Sequence, residues 1–266
     1  MSNTATALEK IDNPSFNLPV LVSPEEAMEV IHQNLDNLGE MRFDKIKMPS
    51  GGGISFALID ENGKKTPLTE LRGIILDKFP FKAWYIKSYD EKEKDDIGIP
   101  DCFSDDNVHG SGCPEAGIPK GQVCADCPKN QWGSDRRGGR GKDCAEKIRV
   151  HILLEDSVFP KYIDLPPTSI TNFKEYVKRL SDKLNLYYGV VTIIGLEESE
   201  NSGKTPFTRA TFSKAANLSS TEKVKIRDYI KTLYPSMRKI TRESIGEPIS
   251  VNDTPMEPVA DDGEPF

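Results

Sequence analysis

The stretch from residue 90 to 145 limits most strongly what this chain can fold into. It holds all five cysteines among many Gly, Pro and Asp residues, with little hydrophobic periodicity. A connection of that length inside a compact domain needs something to order it. Cys124-Ala-Asp-Cys127 has the C-x2-C spacing that lets two thiolates reach one tetrahedral ion. Cys102 upstream and Cys144 downstream supply single thiolates that complete a four-cysteine site, with Cys113 or His109 as substitutes for Cys102. Four thiolates leave no open position, so the expected cofactor, Zn2+, is structural rather than catalytic. A redox pair is the competing interpretation of C-x-x-C, but such a motif follows a strand and opens a helix, whereas this one sits in a Gly/Pro loop. The odd cysteine count favours metal over a disulfide framework. Met1–Asn17 is rich in Ser, Thr and Asn and lacks both a basic start and an apolar stretch, so a reducing cytoplasm is expected.

Enzymatic chemistry has no support in the sequence. His32, His109 and His151 form no H-E-x-x-H, and His109 is followed by Gly110-Ser111 rather than the H-x-E of a zinc deaminase. There is no phosphate-binding loop, nucleophile elbow or acidic metal cluster. No apolar run approaches the roughly 20 residues of a membrane helix.

Residues 1–20 read as a flexible arm, and Ser23-Pro24-Glu25-Glu26 as a capping box opening a short helix over Ala27, Val30, Ile31, Leu35 and Leu38. Strands are expected at Arg42–Met48, Ile54–Ile59, Leu71–Leu76, Phe79–Tyr89 and Ile148–Leu154, with an Asn62-Gly63 turn. A helix over Pro166–Leu184 carries Ile170, Phe173, Val177, Leu180 and Leu184 on one side. Strands at Leu186–Leu196 and Thr205–Phe212 make a hairpin, and Ser219–Arg242 is a long basic helix opened by Ser219 or Ser220 with Glu222. Short strands, few helices and a long stapled loop predict one α+β domain over residues 21–245, an OB-like Greek-key barrel with capping helices and the zinc loop at 98–147. Beyond it, 246–266 reads as a disordered acidic tail.

Several motifs occur together here: Met48-Pro49-Ser50-Gly51-Gly52-Gly53, the Cys102 region, Cys124-Ala-Asp-Cys127-Pro128, Asn130-Gln131-Trp132-Gly133-Ser134, Gly141-Lys142-Asp143-Cys144 and Leu165-Pro166-Pro167-Thr168-Ser169. As a set spanning roughly Arg42 to Phe212, they resemble phage and mobile-element single-stranded DNA-binding proteins with a zinc-ribbon-like insertion. The resemblance implies Cys102, Cys124, Cys127 and Cys144 as zinc ligands, while Cys113 departs from the pattern.

The formal charge of −7 weighs against nucleic acid until it is localised. Gly246–Phe266 carries six acids and no base, leaving the remainder close to neutral. Pro128–Val150 holds seven basic residues (Lys129, Arg136, Arg137, Arg140, Lys142, Lys147 and Arg149) against three acids, interleaved with Trp132 and glycines. Cationic grooves with aromatic platforms are how single strands are held without sequence preference. Phe79–Tyr89 adds aromatics among lysines, from which Trp84 is the first choice for a stacking residue, Tyr85 the second, and Lys87 a phosphate contact. Tyr187, Tyr188 and Phe207 are weaker candidates, expected to be buried in the hairpin. The chain ends Asp261-Asp262-Gly263-Glu264-Pro265-Phe266, similar to the acidic tip of bacterial single-stranded DNA-binding proteins. Such a tip offers a ring and a carboxylate together to a partner pocket rimmed by cations.

The expected function is therefore to coat single-stranded DNA in phage or mobile-element replication or recombination, recruiting partner proteins through the tip. The alternative is a zinc-ribbon regulator of duplex DNA, whose recognition helix would have to be the basic Ser219–Arg242 segment despite Pro235.

Overall fold

The structure, a computed structural model, describes residues 42–49, 52–59, 64–87, 98–136, 138–155, 157–200, 204 and 206–246, with isolated helical positions between 26 and 34. The expected N-terminal arm, the Asn62-Gly63 turn and the acidic tail lie outside them.

Antiparallel pairing builds one six-stranded sheet. β3 (Glu70–Trp84) runs through its middle, between β5 (Ala145–Leu154) and β7 (Val190–Glu200). β6 (Lys161–Leu165) lies beyond β5, β8 (Pro206–Asn217) lies beyond β7, and β4 (Cys102–Ser104) pairs with the far end of β3. β1 (Phe56–Ile59) and β2 (Lys65–Leu68) form a separate ribbon. The α+β class holds, but the expected barrel does not form, because each outer strand is covered by something other than its opposite edge. Along β6, the Ile46 amide donates to the Tyr162 carbonyl at 2.8 Å and the Tyr162 amide to the Asp44 carbonyl at 2.9 Å. Along β8, Ser169 Oγ accepts from the Ala210 amide at 2.9 Å and Asn172 Nδ2 donates to the Ala210 carbonyl at 3.0 Å. The outward backbone groups of Tyr162 and Ala210 are thus already partnered, and β6 and β8 do not pair with each other.

Helices bury both faces of the sheet. α1 (Pro167–Asp182) lays Ile170, Phe173, Tyr176 and Leu180 against Leu71, Ile75, Val150 and Ile152. α2 (Ser220–Met237) lays Ile226, Tyr229, Leu233 and Met237 against Ile74, Leu76, Leu153 and Val191. The central strands are thus apolar on both sides, which explains why β3 and β5 read as continuous hydrophobic runs rather than alternating ones. α1 ends where the Asn185 amide reaches back to the Leu180 carbonyl at 2.9 Å and Leu184 takes a left-handed φ of 54°. α2 starts on the expected capping box, Ser219 with Glu222. The long basic helix ends at Met237, and a short turn, α3 (Arg242–Ile245), follows.

β3 is one strand of 15 residues where the sequence suggested two. A register shift between Ile75 and Asp77 is a bulge at Leu76 that turns the following side chains to the opposite faces. Pro80 is tolerated because pairing with β7 stops at Gly73 and pairing with β4 starts at Lys82. Between them, among the described residues, β3 has only β5 as a strand neighbour, so a missing N–H need not break a second ladder.

His151 is buried on β5 between the rings of Phe43, Phe79 and Tyr162, and its Nδ1 finds no hydrogen-bond partner among the described residues. Burial, reinforced by the Arg149 charge, pushes its pKa down to about 3 from an ordinary 6.5. The folded chain therefore refuses a proton that the unfolded chain accepts below pH 6.5. This contribution is fully present above that pH and falls as pH drops, by about 1.4 kcal/mol per unit. His151→Phe is expected to flatten the pH dependence of urea unfolding between pH 6.5 and 5. Carboxylates do not yet titrate appreciably in that window, so an unchanged slope would place the acid sensitivity elsewhere.

Candidate nucleic-acid interface

Residues 98–144 fold as a module on the end of β3, ordered by a dense backbone network. Strand-like pairing joins Gly110 to Gln122 (2.8 Å) and Cys124 to Val108 (2.7 Å), while Cys113 and Ile118 exchange two bonds at 2.7 and 3.0 Å. The Cys144 amide closes the module on the Lys129 carbonyl at 2.7 Å. Gly112, at φ 85°, lets two segments touch, since a Cβ there would lie 2.6 Å from the Lys120 amide nitrogen.

The zinc expectation is corrected by this arrangement. All five cysteines are free thiols, and no group of three or more His, Cys, Asp or Glu among the described residues is placed to hold a metal ion. The C-x2-C spacing serves instead as a turn: the Cys127 amide donates to the Cys124 carbonyl at 3.4 Å, and Asn130 Nδ2 donates to the same carbonyl at 2.6 Å. Cys102, Cys124, Cys127 and Cys144 line a pocket beneath Lys82 and Trp84. There Cys124 and Cys127 are buried and Cys102 and Cys144 half-buried, and all four act as small hydrophobes. Burial, then the neighbouring sulfurs, pushes the Cys144 thiol up to about 12, and burial raises Cys102 as well. Cys113 packs with Trp84 and Ile118. His109, the other substitute ligand, turns its Nδ1 to Asp106 Oδ2 at 2.8 Å. The His109 amide, its ring and the Val108 amide hold the Asp106 carboxyl well below the usual range.

Trp84 joins module to sheet. It is only 3% exposed, and its Nε1–H donates to Asp143 Oδ2 at 2.8 Å. Arg136 Nε donates to Asp143 Oδ1 at 2.7 Å, and the same guanidinium bonds the carbonyls of Tyr85 and Ile86. Lys129 Nζ lies 5.1 Å and Arg136 Cζ 5.6 Å from the Trp84 ring centroid. Burial opposes ionisation of Asp143, but Arg136, Trp84 and Lys129 together hold its pKa below the ordinary value. Trp84 is therefore a packing and hydrogen-bonding residue rather than the expected stacking platform, and Arg136 is the clamp that fixes it. Arg149 also leaves the cationic surface. It is 2% exposed and forks onto Asp164 at 2.7 and 2.9 Å, with its Cζ 4.0 Å from the Tyr162 ring centroid.

What remains on the surface centres on Trp132, which is 79% exposed. Its loop is fixed from below. Gln131 Nε2 donates to the carbonyls of Ala125 (2.7 Å) and Cys127 (3.1 Å), and the Gly133 amide donates to Gly141 (2.9 Å). Lys142 Nζ sits 5.4 Å from the Trp132 ring centroid while donating to Asn130 Oδ1 at 3.2 Å. Arg140 is exposed beside it, and Lys129 is partly exposed. Tyr85 is half-buried with Lys147 Nζ 6.0 Å from its ring centroid, and Lys87 is exposed. Arg137 and the tip residues Asp261, Asp262, Glu264, Pro265 and Phe266 lie outside the described residues. Asp143 was missed by sequence reasoning, which counted it only as one negative charge. A lone acid between a tryptophan and several cations in a Gly-rich run is the signal that could have found it. No helix among the described residues is long and apolar enough to cross a membrane.

Comparison with protein-family models, with curated proteins and with solved structures returns no match.

Proposed function

We propose that the protein binds single-stranded DNA without sequence preference, as a non-enzymatic coat in phage or mobile-element replication or recombination. The observation that carries this reading is Trp132: an indole held almost fully in solvent on a hydrogen-bonded loop, with an ammonium group at its face. Burying a ring is ordinarily favourable, so a rigid loop that presents one outward is suited to an incoming flat partner. Bases stack on such a ring irrespective of identity, and Lys142, Arg140 and Lys129 supply the phosphate contacts. The acidic tip ending at Phe266 acts in this reading as the hook for partner proteins.

The test compares affinity for poly-dT, duplex DNA and RNA across a salt series. Poly-dT is expected to bind most tightly, with log affinity falling by about 0.7 per phosphate contact for each decade of salt. Arg140→Gln with Lys142→Gln is expected to flatten that slope. Preference for duplex, or no binding to any of the three, would overturn the reading.

A further inference from the structure

The four thiols around the pocket beneath Trp84 are not equally placed toward one another. Cys102 and Cys144 lie on opposite sides of β3: Cys102 pairs with Trp84 from β4, and Cys144 directly precedes Ala145, which pairs with Ala83 from β5. Two strand spacings put their Cα atoms about 10 Å apart, whereas a disulfide bridges no more than about 7 Å. Cys124 and Cys127 stand differently. They are the first and last residues of one turn, closed by the Cys127 amide on the Cys124 carbonyl. The Cα atoms of such residues lie within about 7 Å, inside the reach of a disulfide. Both side chains are buried, and both line the same pocket.

The turn also has, in miniature, the frame that the sequence did not show. Val123 bridges His109 just before Cys124, and Cys127 caps the short 3₁₀ turn Pro128–Asn130. Val123, Ala125, Asp126 and Pro128 around the two cysteines are exposed, so the thiols lie directly beneath the surface. The Trp132 loop hangs from this turn. The Asn130 side chain donates to the Cys124 carbonyl and its amide to the Cys127 carbonyl at 2.9 Å, while Gln131 Nε2 donates to the carbonyls of Ala125 and Cys127.

We infer that Cys124 and Cys127 are a reversible oxidation site, forming a disulfide by exchange with a small disulfide such as oxidised glutathione, and that this bond locks the base of the Trp132 loop. One protein thiolate attacks a glutathione sulfur, breaking its S–S bond and releasing one glutathione thiol with the proton. The second protein thiol, one turn away, then displaces the other glutathione. Two protein thiols are thereby oxidised by two electrons, and one glutathione disulfide is reduced to two thiols. The backbone already holds the closed geometry, so only the two side chains need to turn. The inference goes beyond DNA binding and does not rest on it.

The experiment incubates the full, folded chain with oxidised glutathione, then alkylates all remaining thiols in denaturant and digests with trypsin. Cys124 and Cys127 share one tryptic peptide, Gly121–Lys129, and the other three cysteines lie in different ones. That peptide is expected to be unalkylated and lighter by two hydrogen atoms, with Cys102, Cys113 and Cys144 alkylated, and dithiothreitol should restore both thiols. Cys113→Ser should oxidise like the wild type, and Cys124→Ser should lose the two-hydrogen shift. The wild-type peptide map decides the matter even if Cys124→Ser fails to fold. In the oxidised chain, hydrogen exchange at the Asn130 and Gln131 amides should slow by up to about 20-fold, the limit set by closing a four-residue loop. Two alkylated cysteines in Gly121–Lys129, stable glutathione adducts there, or a link from either cysteine to Cys102 or Cys144 would overturn the site. Unchanged hydrogen exchange in the oxidised chain would overturn the lock. No readout involves DNA, so failure here leaves the single-strand reading to its own test.

Discussion

Trp84→Ala is expected to destabilise the protein by about 3–5 kcal/mol, the usual range for deleting a large buried aromatic. The loss has two parts. The indole fills the space against Cys113 and Ile118, and it also donates to Asp143, whose carboxylate binds Arg136 and, through it, the carbonyls of Tyr85 and Ile86. Removing the ring therefore unfastens the module at 98–144 from the end of β3. Limited proteolysis should cut within those residues well before global unfolding. Trp84→Phe keeps most of the packing and loses the Nε1–H bond, so it should lie between alanine and wild type, about 1–3 kcal/mol down. If Trp84 instead contacted bases from the surface, Trp84→Ala would lower DNA affinity with stability and protease resistance intact. Urea unfolding and a proteolysis time course distinguish the two.

Asp164→Asn is expected to cost a comparable 3–5 kcal/mol, because it leaves the buried Arg149 charge uncompensated. Both side chains are 3% exposed, and Lys45 adds a second cation 3.3 Å from Asp164. Burial opposes ionisation of Asp164, yet Arg149 and Lys45 hold its pKa below the ordinary 3.8. Its contribution is thus present above pH 4 and lost only as pH falls through the lowered value. Replacing the pair together, Arg149→Met with Asp164→Leu, removes both charges and should cost much less than either single change. Thermal unfolding of the three variants checks this. A double variant as unstable as Asp164→Asn would mean that the Arg149 bond to the Ser244 carbonyl, at 2.8 Å, matters more than the ion pair.

The sequence made the helices and most strands legible because their signals are local. Ser219 and Glu222 fix the start of α2, and the spacing of Ile170, Phe173 and Leu180 fixes the buried side of α1. The bulge at Leu76 looked like a strand end, since two apolar runs separated by Asp77-Lys78 give the same pattern as two strands. Barrel closure was not legible, because alternation tells which face a residue takes but not what covers an edge. The two tryptophans show the same limit at the site. Both sit among cations, yet Trp84 is buried against Cys113 and Trp132 stands in solvent, a difference set by the fold around β3. Arg149 was indistinguishable in sequence from Arg140 until β6 brought Asp164 to it. The C-x2-C spacing fits a tight turn as well as a metal knuckle, and here it makes the turn.

The chain has two tryptophans, one buried and one exposed, which makes intrinsic fluorescence the most direct measurement. Titration with poly-dT should quench the wild-type emission as bases stack on the exposed ring. In Trp132→Phe the remaining Trp84 emission should not respond, and affinity measured by labelled oligomer should fall. Undiminished quenching in that variant, or wild-type emission and anisotropy both indifferent to poly-dT, would contradict a single strand stacked on Trp132.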